Sequence, residues 1–224
     1  MTFEIASKEV LEEWDWETAQ PTGRGVTRGE SYLKGIPHEG VHLWIVRNIA
    51  GRTEILFQHR AENKALYPDC LDITVGGHVP FGLEKNKIQK EAMEEIGISP
   101  DDSEMFDLGL RRFEEKTSEY HHREFQHVFL MKNSMELDEY RFNDGEVIGI
   151  YSVPVDFIES LYSADSSMKV RGFDGRKLLE REVSRKDFHP LLFSDSMKVY
   201  METVISGAKE LSVSGTVSMR MPEV

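Results

Sequence analysis

Cysteine is almost absent. Cys70 stands alone among 224 residues, so no disulfide can form within the chain. A lone thiol suits a reducing compartment, and a cytoplasmic location is expected. No apolar run reaches the roughly 18 residues that a membrane-spanning helix needs. The opening stretch MTFEIASKEVLEEWD is acidic, unlike the basic start of a secretory leader. Basic residues are scarce too. With 27 Lys and Arg against 40 Asp and Glu, the formal net charge is −13, which argues against a nucleic-acid polymer or a membrane as the main partner. Internal repeats and low-complexity tracts are missing. The length suits one large domain, or one domain with an extension, big enough to bury a real core.

What is present is concentrated in residues 77–98, GHVPFGLEKNKIQKEAMEEIGI. Turn chemistry at Gly82 leads into apolar residues at Ile88, Ala92 and Ile96, the i, i+4, i+8 stripe of an amphipathic helix starting near Glu84. Gly97 is a natural stop. At about 100° per residue, Glu95 falls about 20° from Ile88, with Glu91 about 60° and Glu94 about 120° away on the same side. Glu95 thus lies on the stripe that packs. A carboxylate there must be neutralised, hydrogen-bonded or bound to a metal, because an unpaired buried charge is costly. Carboxylates at i, i+3 and i+4 also repel one another. A hard cation, Mg²⁺ or alternatively Mn²⁺, relieves both penalties and shares its shell with substrate phosphates. The competing explanation is a solvated acidic face.

Elsewhere strands alternate with turns. Residues 40–46 and 54–59 read as a β-hairpin across Ala50 and Gly51, and residues 71–75 as a short strand entering a bend at Gly76 and Gly77. Residues 105–115, 124–131 and 146–153 read as further strands. Helices are expected over 154–161, with Pro154 in its first turn, and over 193–206. This order fits an α/β class, a mixed sheet with helices on both faces. The last residues, 207–224, read as a frayed tail or an appended edge segment. No motif is legible between Tyr162 and Pro190, although Lys169, Arg171 and Arg176 could approach an anion.

The run Lys90-Glu91-Ala92-Met93-Glu94-Glu95-Ile96-Gly97-Ile98, with Gly77 ahead of it, resembles the box of the Nudix hydrolase family, with Lys90 in place of an Arg. The middle of the box is one residue short. Its entrance Glu has no match in register, Glu84 being the nearest carboxylate. Lys90 keeps the charge of the Arg but not its planar fork, so by its place it holds loop to helix. The segments KGIPH at 34–38, VHLWI at 41–45, QHR at 58–60 and GGH at 76–78 are similar to isopentenyl-diphosphate isomerase and its bacterial relatives in that superfamily.

The resemblance implies a Nudix-type α/β/α sandwich spanning 36–206, preceded by a strand-turn-strand extension over 1–35 and ending in a C-terminal helix. It implies metal ligands at Glu91, Glu94 and Glu95, and a small organic diphosphate as substrate. Proton-accepting candidates are Glu94 and Glu124; substrate contacts are expected from Arg60, Lys64, Gly77 and His78. His38 and His78 match two metal-binding histidines of the isomerase, and a third has no counterpart. Gly76 stands where the isomerase carries its reactive Cys. Each residue also has a plain explanation: a turn position for His38, ordinary strand positions for His42, His59 and His127, and solvated or ion-paired roles for Arg60 and Lys64. Tyr67, Trp44 and Phe81 could stack on a base or pack on a prenyl chain. The expected function is metal-dependent hydrolysis of a diphosphate linkage. The alternatives are a non-catalytic diphosphate-binding module and an isomerase. A homodimer is one state that the resemblance allows.

Overall fold

The computed structural model describes residues 9–64 and 66–223. Residues 1–8 of the expected extension and Val224 of the expected tail lie outside them. In chain order come β1 (Val10–Asp15), β2 (Gln20–Thr27), α1 (Arg28–Lys34), β3 (His38–Ile49), β4 (Arg52–Arg60), β5 (Leu71–Asp72) and β6 (Val75–His78). Then follow α2 (Lys87–Ile96), β7 (Met105–Lys116), β8 (His121–Lys132), β9 (Val147–Pro154), α3 (Val155–Ser160), β10 (Ser167–Phe173), β11 (Leu178–Ser184) and α4 (Lys198–Ser214).

β1 and β2 form a separate two-stranded hairpin; nine strands among the described residues make one sheet, ordered β11-β10-β9-β4-β3-β8-β7. β5 pairs with β4, and β6 with β3. β3 and β8 run parallel while the other pairs are antiparallel, so the sheet is mixed. Alternation along β3 splits the core. Val41, Leu43 and Ile45 face α2 with Ile88, Ala92 and Ile96. Trp44 and Val46 face the opposite way, packing with residues of α3 and α4 such as Phe157, Tyr200 and Val204. The result is the expected α/β/α layering.

Several boundaries differ from expectation for local reasons. Gly82 (φ 81°) and Asn86 (φ 57°) are both left-handed, so the helix cannot begin at Glu84 and starts at Lys87. Gly76 and Gly77 do not bend away; they lie within β6, opposite His42 and Val41. Pro154 is the N-cap of α3, one position earlier than expected. The boundary at residue 207 falls inside α4, and the segment beyond the helix is tied down rather than frayed. Val217 and Met221 are buried in the core, and Met221 N–H bonds to the Leu108 carbonyl at 2.6 Å. The unread stretch after Tyr162 contains the β10–β11 hairpin at the sheet edge.

Candidate active site

Lys90, Glu91 and Glu94 of the box helix and the strand ends beside it line one cavity of about 320 Å³. Lining residues include Gly77, His78, Glu91, Glu94, His122, Glu124, Asp144 and Glu146, with Arg28, Arg60, Lys64 and Lys90 as the cations. Members of two groups of potential ligands line it.

The first is acidic. Glu95 is buried on the packed stripe where its helical angle puts it, accepting from Gly76 N–H at 3.0 Å and from Gln58 Nε2 at 3.4 Å. One oxygen each of Glu95, Asp144 and Glu146 comes within 4.8 Å of the others. The loop bearing Asp144 and Glu146 is held there because Arg141 and Asn143 N–H groups bond to the Ile96 and Glu94 carbonyls at the helix end. Burial raises the Glu95 carboxyl well above the usual range, and raises Glu91.

The expected triad is only partly assembled. Lys90 Nζ sits between Glu91 (2.9 Å) and Glu94 (2.7 Å), and the three box carboxylates do not all converge within 4.8 Å. Lys90 therefore pairs within its own helix rather than with the preceding loop, and Glu84 is exposed. Gly77 has a steric role. A Cβ there would lie 2.8 Å from Glu91 Cγ, and closer still to its carboxylate.

The second group is His38, His78, His122 and Glu124, whose ligand atoms also lie within 4.8 Å of one another. Register explains the convergence. His38 opens β3 directly beside Glu124 on the parallel β8, His78 ends β6 opposite Gly40, and His122 shares a strand face with Glu124 two residues on. Gly40 leaves room for the carboxylate, since a Cβ there would lie 2.6 Å from Glu124 Cδ.

The hydrogen bonds fix the polarity of this group. Ser31, on α1, donates its hydroxyl proton to the Ile36 carbonyl at 2.8 Å, so the 2.7 Å contact with His38 Nδ1 must be donated by the imidazole. His38 Nε2 is then a bare lone pair, buried without a partner among the described residues and 4.0 Å from Glu124 Oε1. His122 Nε2 is likewise buried without a partner, 3.9 Å from the same oxygen. Burial lowers His38 to about 4 and holds His78 and His122 well below the usual histidine range. It also pushes Glu124 up to about 7. Neutral imidazoles facing a carboxylate, with the His38 and His122 Nε2 atoms unpartnered among the described residues, are the donor set a divalent cation accepts.

The remaining expected residues are in place but engaged. Arg60 lines the cavity, yet its guanidinium bonds to the Tyr67 and Leu66 carbonyls (2.9 Å each) and to Asp72 (3.2 Å). Lys64 pairs with Glu146, and His78 meets the Tyr32 hydroxyl at 3.2 Å. Trp44 is wholly buried and cannot stack on a ligand; Phe81, Lys169, Arg171 and Arg176 are not on the cavity wall. Asp144 and Glu146 escaped sequence reasoning, and His122 reads in the sequence only as part of a run, 119–124, that is either a surface loop and strand entrance or the substrate-side wall of a cleft, not as a ligand. The i, i+2 spacing of His122 and Glu124 and the Asn-Asp-Gly-Glu turn at 143–146 were the available signals.

No protein-family model matches the chain. It is similar to an uncharacterized Nudix hydrolase of Clostridium acetobutylicum, 27% identical over 73% of this chain and 82% of that protein. It is also similar to Nudix hydrolase 3 of Arabidopsis thaliana, 26% identical over 66% of this chain but only 20% of that longer protein. The named relatives support the Nudix superfamily. A solved protein from Deinococcus radiodurans shares the fold, with a TM-score of 0.50 and 18% identity over 69% of this chain and 90% of that one. Measured against the Nudix box, this chain keeps the three helix carboxylates, uses Lys90 to bridge two of them and has no paired acid at the helix entrance.

Proposed function

We propose that this protein is a metal-dependent hydrolase that cleaves the diphosphate linkage of a small organic diphosphate. One observation carries this reading: a single cavity is lined by members of two ligand groups, one all-carboxylate (Glu95, Asp144, Glu146) and one rich in neutral imidazole (His38, His78, His122, Glu124). Glu91 and Glu95, joined by Asp144 and Glu146, would hold Mg²⁺ or Mn²⁺; His38, His78, His122 and Glu124 would hold a second divalent ion. Metal bound there supplies Lewis acidity, offsetting diphosphate charge and acidifying water. Lys64 and Lys90 release their carboxylates and turn to phosphate oxygens. Glu94 accepts the proton of the attacking water, because it is half-exposed at the cavity and committed only to Lys90. Glu124, whose oxygens face His38, His122 and Gln126, is a ligand instead.

A second reading has a specific observation in its favour. His122 completes a His-rich group around His38 and His78, which suits isomerisation of a five-carbon allylic diphosphate. Gly76 supplies no thiol for that proton transfer, and Cys70 has its thiol raised to about 12 by burial and hydrogen-bonds the Tyr67 carbonyl. Incubating the protein with Mg²⁺ or Mn²⁺ and a panel of nucleoside, dinucleotide, thiamine and prenyl diphosphates separates the readings. Hydrolysis releases phosphate or phosphomonoesters. Interconversion of isopentenyl and dimethylallyl diphosphate without phosphate release would overturn the hydrolytic assignment.

A further inference from the structure

The cavity wall also holds polar groups that diphosphate hydrolysis leaves unused. His42, on β3 opposite Gly76, places its Nδ1 2.9 Å from the Tyr200 hydroxyl. Trp44 Nε1 also meets that hydroxyl, at 2.8 Å. An indole nitrogen only donates, so the Tyr200 oxygen accepts there. With no other acceptor near it among the described residues, the phenolic proton goes to His42 Nδ1. His42 therefore carries its own proton on Nε2, which bonds to no described residue on a ring that lines the cavity.

His189 reaches the same tautomer by another route. Leu191 N–H donates to its Nδ1 at 3.2 Å, and the Tyr67 ring lies against it at a 47° tilt with centroids 4.1 Å apart. Burial lowers His42 to about 4 and lowers His189 too, so both rings are neutral at pH 7. Asp72 lines the same wall. Burial works against its ionisation, but the Arg60 guanidinium and the Ile73 N–H hold it below the ordinary range. Phe113, Leu192 and Met197 complete the wall with apolar surface.

We propose that His42, Asp72 and His189 form a recognition subsite for a hydroxyl-bearing organic group attached to the diphosphate. A neutral imidazole N–H of fixed tautomer can only donate, and an ionised carboxylate can only accept; a hydroxyl does both. A prenyl chain would leave the imidazole N–H groups desolvated and unanswered, a penalty that polar sites use to reject apolar analogues, whereas Asp72, already held by Arg60 and the Ile73 N–H, keeps lone pairs to accept a further proton. Tyr200 is the positioning residue, acting through His42. The inference rests on the diphosphate reading above and names the class of its organic half.

The test uses the full chain with Mg²⁺ and three non-scissile or short probes: α,β-methylene ADP-ribose, isopentenyl diphosphate and methylenediphosphonate. The wild type binds the ribosyl probe at least about tenfold more tightly than the prenyl one, and His42→Phe and Tyr200→Phe each remove most of that advantage. Methylenediphosphonate binding is unchanged in both. Nitrogen-15 NMR of the wild type reports a protonated Nε2 and a bare Nδ1 at His42, and Tyr200→Phe mixes the tautomers. Equal affinity for ribosyl and prenyl probes, equal weakening of all three probes in the variants, or a protonated Nδ1 would overturn the subsite. Selective ribosyl binding without hydrolysis of ADP-ribose would leave the subsite standing and remove the hydrolytic function.

Discussion

Replacing Gly40 with alanine puts a methyl group into space that the Glu124 side chain fills. The new Cβ would lie 2.6 Å from Glu124 Cδ, closer than real carbon contacts come, and a tight 3.2 Å from its Cγ. The strand cannot retreat, because Gly40 is paired on one side with His78 and on the other with Gln126. Glu124 must swing away, and overpacking of this kind costs about 1–3 kcal/mol of stability. The ligand group then loses its only carboxylate. Three imidazoles without charge remain, and divalent-ion affinity falls by at least about 100-fold, beyond what loss of a supporting contact alone produces. Calorimetric titration with Co²⁺ or Zn²⁺, alongside urea unfolding, measures both numbers. Gly76→Ala is the matched control, since its Cβ meets His42 Cδ2 at an ordinary 3.6 Å. Wild-type Co²⁺ affinity in Gly40→Ala would refute the assignment of Glu124 to a metal.

Two further outcomes follow from charges at the site and at the sheet edge. Lys90→Gln removes the cation that occupies Glu91 and Glu94; Mg²⁺ should then stabilise the variant at concentrations up to about tenfold lower than the wild type needs, read from thermal unfolding against Mg²⁺. His127 stands between Asp107 (3.0 Å) and Glu39 (3.7 Å). Burial opposes its charge, but the two carboxylates win and raise it to about 9. Because the folded value exceeds the unfolded one near 6.5, its stabilisation is complete below about pH 6.5 and is lost as pH climbs through about 9. With the ring partly exposed, that contribution is about 1–2 kcal/mol, and His127→Gln should flatten the fall in urea stability across that window.

The parts of the fold legible in the sequence are those set by local periodicity. Alternating residues in β3 and β4, and the Ile88, Ala92, Ile96 stripe ending at Gly97, carry their own signals, and the hairpin and box helix appear where those signals lie. Glu95 was legible as a buried carboxylate because a helix fixes angle from spacing alone. The second ligand group was not, because it depends on register between strands far apart in sequence. His38 meets Glu124 only through the parallel β3–β8 pairing. Asp144 and Glu146 depend on a loop that caps a helix end, and His42 takes its chemical character from Tyr200, on another layer of the molecule. The β10–β11 hairpin went unread although β10 alternates, because the less exposed positions of the outer strand hold Arg181 between Leu179 and Val183, which hides its period in the sequence.

Glu95→Gln on an organic diphosphate that the wild type hydrolyses is the most direct measurement. The amide keeps the shape and the contact with Gly76 N–H while removing a buried charge. Metal-dependent turnover should fall by at least about 100-fold, with folding stability equal to or above that of the wild type. Full metal-dependent turnover in this variant would contradict the account.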